Sequence, residues 1–158
     1  MKLQYAISTV KRKNITEDTM VKIIKTGFAI YSNPEDKKAL LNAIVGNPTF
    51  AYFQTAGKIL MNEIFSFCSV EDEIPFNEFE MNTLLFYVIH FQCQEVFVRY
   101  MQKTSQFSTA CWINIAERYN MLEEENAYLN ERAPVLLPYS GLVNESSYYS
   151  QNFEDYED

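Results

Sequence analysis

Residues 75–103 read PFNEFEMNTLLFYVIHFQCQEVFVRYMQK, and the way this stretch begins decides the fold class. Asn77 and Glu80 stand at the spacing of a capping box, in which each side chain satisfies the other's free backbone N–H at a helix start. Phe76 and Met81 flank them as a hydrophobic staple. Four residues therefore agree on a helix opening at Asn77. Leu84, Leu85, Phe86, Val88, Ile89, Phe91, Val96 and Phe97 then set apolar side chains almost all round it, the pattern of a centrally buried helix running to about Lys103. The β-branched and aromatic run from Phe86 to Phe91 would suit a strand, but the helical start and the length outweigh it.

Upstream the same signals recur. Thr16 caps a segment that opens with Glu17 and Asp18, acids suited to the positive end of a helix dipole. Met20, Ile24, Phe28 and Tyr31 then share one face as far as Ser32. Asn33-Pro34 and Asn47-Pro48 each put a capping side chain before the residue that tolerates losing its amide at the first helical position. The first pair predicts a helix through Leu40, Leu41 and Ile44 to Gly46. The second predicts one carrying Phe50, Phe53, Leu60 and Ile64 to about Cys68, with Gly57 allowing a close helix crossing. Residues 3–10 alternate loosely and read as a short strand or arm within a basic segment, residues 1–14.

Downstream, a last helix spans roughly Ser108 to Arg132 and is stopped by Pro134. Residues 139–158 hold Tyr, Ser, Asn and five acids, the composition of a mobile tail. The expectation is an all-α fold: a compact bundle of about five helices in a single domain, residues 1–138, followed by an acidic, aromatic-containing tail, residues 139–158. At 158 residues with 47% hydrophobic, the chain suffices for one core of ordinary size.

Charge narrows the partners. Thirteen basic against 21 acidic residues leave a net of -8, which disfavours direct nucleic-acid binding. Lys2, Lys11, Arg12 and Lys13 all precede the first acid, Glu17, whereas 16 of the 21 acids lie from Glu71 onward. Cys68, Cys93 and Cys111 lack CxxC spacing and are odd in number, which points to a reducing compartment. The N-terminus has no apolar signal core, so the cytoplasm is expected. The uncharged stretch between Glu80 and Glu95 falls short of the roughly 20 apolar residues of a membrane span, so no membrane partner is expected.

Chemistry finds little purchase. His90 is the sole histidine, which forbids mechanisms that need two imidazoles and weakens any carboxylate-bridged metal site. Cys93, three residues on, could meet His90 on one helical face as thiol and base, yet its apolar neighbours would suppress the thiolate. Glu71, Asp72 and Glu73 crowd a loop and Glu123, Glu124 and Glu125 a helix without converging, as solvated surface charge does. No phosphate cradle, EF-hand loop or nucleophile elbow is present, so no cofactor or metal is expected.

Two constellations point to binding instead. Trp112, Ile115, Tyr119, Leu122, Asn126 and Leu129 recur at alternating spacings of three and four, a heptad seam with Asn126 at an a position. Such a seam suits either packing inside the domain or a homodimer. In the tail, Tyr148, Tyr149, Phe153 and Tyr156 interleave with Glu154 and Asp155, a mixture able to dock in a basic, apolar groove. The sequence reading is a non-enzymatic protein that binds another macromolecule, a protein partner of unknown identity, as inhibitor, antidote or adaptor. The alternatives are an acidic nucleic-acid mimic or regulator competing for a basic groove, and a cryptic Cys/His or carboxylate enzyme.

Overall fold

Seven α-helices and no strand occur among the described residues. The structure, a computed structural model, describes the backbone of residues 1–136 and the side chains of residues 1–127. The tail expected over residues 139–158 lies outside them. The helices are α1 (Leu3–Val10), α2 (Glu17–Ile30), α3 (Pro34–Val45), α4 (Gln54–Phe65), α5 (Glu78–His90), α6 (Gln94–Lys103) and α7 (Thr109–Leu136), with 3-10 turns at Pro48–Tyr52 and Val70–Asp72. Residues 1–122 form one unit, and the division from the remainder falls within α7.

The unit is organised by a single hydrophobic core that draws on all seven helices, from Ala6 to Tyr119. Within it α2 packs on α4, α1 on α3, and α4 on α6. The fold class matches the expectation, while the helix count rises from about five to seven for two separate reasons.

The first is the N-terminus, which is helical rather than a strand or arm. Leu3, Ala6, Ile7 and Val10 follow the three-and-four spacing of a helix stripe, and Ala6 and Val10 are fully buried. The alternation that suggested a strand counted Tyr5 as an inward residue, and Tyr5 is 58% exposed. Buried Asn47 then locks the end of α1: its Nδ2 donates to the carbonyls of Val10, at 2.8 Å, and Arg12, at 3.0 Å. The same side chain caps the following turn by accepting from Thr49 N–H at 3.0 Å.

The second is that residues 77–103 are two helices. Gln92 adopts φ 58, in the left-handed region. Its N–H donates to Ile89 O at 3.1 Å and that of Cys93 to Val88 O at 2.8 Å, the paired bonds of a Schellman stop. The chain turns there without the glycine that usually marks such a stop.

Two boundaries also differ. Asn47-Pro48 opens only the 3-10 turn, and α4 starts afresh at Gln54 because Glu17 Oε2, on α2, accepts from Ala56 N–H at 3.0 Å and caps it from another element. The last helix runs to Leu136, so Pro134 lies inside its final turn rather than beyond it.

Candidate functional site

The capping box at the start of α5 forms as the sequence implies. Glu80 N–H donates to Asn77 Oδ1 at 2.8 Å and Asn77 N–H to Glu80 Oε1 at 2.9 Å. Lys38, on α3, pairs with Glu80 at 2.8 Å, so α5 is held at a fixed rotation about its axis. That rotation turns Met81, Leu84, Leu85, Val88 and Ile89 into the core.

The opposite face of α5 is not covered. Phe79, Thr83, Phe86 and His90 recur at intervals of four, three and four, so they share one stripe. Phe79 is 78% exposed and Phe86 52%, which corrects the expectation that Phe86 belongs to the core. Phe86 lies flat on His90, with ring centroids 5.6 Å apart and planes 10° apart. Nε2 of His90 is 2.7 Å from the carbonyl of Ala51 and donates to it. The neighbouring Tyr52 is 68% exposed. Sequence reasoning missed this stripe because it asked only whether α5 was apolar. A count by face would have found Phe79 and Phe86 opposite Leu84, Leu85 and Val88.

The same contacts decide what His90 and Cys93 do. His90 engages Ala51, while Cys93 Sγ donates to Phe91 O at 3.6 Å, so each is committed to a separate backbone acceptor. Burial lowers the His90 pKa against the opposing pull of the Ala51 bond. Burial also raises that of the Cys93 thiol, with Lys58 opposing. Both shifts favour the neutral groups. Cys111 is raised as well, by desolvation and by the nearby Glu78 carboxylate. Among the described residues no group of three or more His, Cys, Asp or Glu side chains is placed to hold a metal ion.

The acidic loop is not uniformly solvated. Glu71 and Asp72 are exposed, but Glu73 is buried and accepts from Thr104 Oγ1 and Gln106 Nε2. Gln106 in turn accepts from Phe76 N–H at 2.8 Å and donates to the Tyr100 hydroxyl at 2.8 Å. Reading Glu73 as surface charge failed because its partners lie about 30 residues away in sequence. The network fastens the loop before α5 to the end of α6.

The heptad seam of α7 divides. Ile115 is fully buried and Tyr119 packs on Phe97 at 5.2 Å, both inside the chain's own core. Trp112 stacks on Phe107, with centroids 5.6 Å apart, and Leu122 is half-buried against the same core. Asn126 is half-buried. The Leu129 side chain lies outside the described residues, as do Tyr148, Tyr149, Phe153, Glu154, Asp155 and Tyr156. Glu123, Glu124 and Glu125 are exposed.

Among the described residues no helix is long and apolar enough to cross a membrane. No protein-family model, curated protein or solved structure matches this chain.

Proposed function

We propose that this chain is a non-enzymatic interaction protein of the inhibitor, antidote or adaptor kind, and that it binds a protein partner through the outward stripe of α5. One observation carries the reading: α5 is apolar on two opposite faces, and its own fold covers one of them. A helix apolar all round is normally buried all round, so an uncovered aromatic stripe is surface reserved for a partner. Aromatic side chains are the type enriched at the centres of such contacts, because they bury large areas with few rotatable bonds. The capping box and the Lys38–Glu80 pair hold the stripe rigid before any partner arrives, which reduces the ordering cost of binding.

The non-enzymatic part is supported by the separate commitments of His90 and Cys93 to backbone carbonyls. A reducing, cytoplasmic setting goes with it, supported by three unpaired thiols, of which Cys68 is exposed.

The test is the double variant Phe79→Ser/Phe86→Ser. It should keep the circular dichroism and melting temperature of the parent chain while losing the protein captured by that chain from native lysate. A folded double variant that still captures the same protein would sink the reading.

A further inference from the structure

We infer that the outward stripe of α5 is an isologous contact, occupied by the same stripe of a second copy of this chain lying antiparallel to it. The inference rests on the protein-binding reading above and names its partner. Along the stripe the side chains run large, small, large, medium: Phe79, Thr83, Phe86, His90. A two-fold axis midway along it sets Phe79 against His90 of the other copy and Thr83 against its Phe86. Each Phe86 ring then enters the space that Thr83 leaves, twice over by symmetry. A parallel pairing would set ring on ring and leave the two threonines facing each other across a gap.

Charge selects the same arrangement. The half-exposed Glu78 stands at the N-terminal end of α5. Exposed Lys58 stands at the other end: it adjoins Gly57, which lies under the Phe91 ring just past α5, and its charge is close enough to favour the thiolate of Cys93. Among the described residues neither Glu78 nor Lys58 has an ion pair. Antiparallel pairing brings Glu78 of one copy toward Lys58 of the other at both ends, whereas parallel pairing sets Glu78 on Glu78. Opposed helix dipoles favour the same choice. Exposed Tyr52, beside the Ala51 carbonyl that holds His90, sits at the end where Phe79 of the second copy arrives. One helix stripe a side is a small contact, so the association should be weak and reversible.

Light scattering on the full chain under reducing conditions, in a series up to about 500 μM, tests this. The mass should climb from 18.5 kDa toward twice that value. Phe86→Ser should weaken association about 30-fold, the loss of a central anchor. Thr83→Trp should weaken it about 10-fold although it makes the exposed stripe more apolar, because it fills the space needed by the opposing ring. Glu78→Lys and Lys58→Glu should each weaken it, and the two together should restore it. Tyr5→Ser, exposed on α1, should change nothing. A mass fixed at 18.5 kDa, a Thr83→Trp chain that associates as well or better, or no restoration in the double charge reversal would each overturn the inference. A chain that stays monomeric yet loses a captured protein on Phe79→Ser/Phe86→Ser would overturn the second-copy partner and leave the broader reading standing. Because Thr83 is exposed, its variant remains informative if Phe86→Ser fails to fold.

Discussion

Gly57 of α4 lies directly under the ring of Phe91, so closely that a methyl group at position 57 would overlap three of its ring carbons. Phe91 is fully buried and is itself hemmed in by Phe50, at 5.2 Å, and His90, at 4.9 Å. The ring has nowhere to retreat. Gly57→Ala should therefore destabilise the protein by about 2 kcal/mol in urea titration, overpacking outweighing the roughly 1 kcal/mol by which Ala is the better helix former. The same change in a Phe91→Leu background should cost less, because the two sites share one contact. An equal cost in both backgrounds would show that the glycine serves something other than the ring.

Gln92 occupies a backbone conformation that costs a side chain roughly 1 kcal/mol and costs glycine almost nothing. Gln92→Gly should raise the urea midpoint without changing the slope of the transition. The gain should be about 0.5 kcal/mol, since glycine also loosens the unfolded chain. Gln92→Val should lower the midpoint by more than the glycine raises it, because a β-branched side chain is poorly tolerated at positive φ. If glycine leaves the midpoint unmoved, the turn between α5 and α6 is not strained.

These two positions show where sequence was legible and where it was not. The starts of α2, α3 and α5 could be read because Thr16, Asn33 and Asn77 act on amides two or three residues away. The start of α4 could not, since its capping carboxylate, Glu17, comes from 39 residues upstream. The break at Gln92 carries no Gly or Pro, so nothing local announces it. Glu73 and Phe86 misled in opposite directions. One carboxylate is buried by remote hydrogen bonds, and one aromatic is exposed because the core lies on the other side of its helix. Periodicity identifies the faces of a helix, but which face is covered depends on tertiary packing.

That distinction can be measured at two positions in adjacent helices. Val96 is buried, and Val96→Ala should cost about 1–3 kcal/mol through lost burial and a small cavity. Phe86→Ala removes a much larger side chain, but one whose outer face is already in water. It should cost less than 1 kcal/mol, mostly from the lost stacking on His90. Denaturation of the two variants at a protein concentration low enough to exclude association decides the matter. A Phe86→Ala loss above about 3 kcal/mol would return this residue to the core and remove the outward stripe.

The single histidine gives stability a pH dependence that can be assigned to one residue. Burial holds the His90 pKa below the ordinary 6.5, even though its bond to Ala51 pulls the other way. As pH falls through 6.5 the unfolded chain takes up a proton that the folded chain still refuses. In that interval the unfolded state binds more protons and stability declines with falling pH. The contribution is fully present above pH 6.5 and is lost as pH drops through the native His90 pKa. Carboxylates add their own loss only nearer pH 4, about two units lower. Urea midpoints measured from pH 7.5 down to about 5 should therefore fall for the parent chain. They should stay nearly level for His90→Gln, whose amide can still donate to Ala51 O but does not titrate. Parallel slopes for the two proteins would mean that His90 is as free to protonate in the folded state as in the unfolded one. Its stacking on Phe86 and its bond to Ala51 would then not shield it from water.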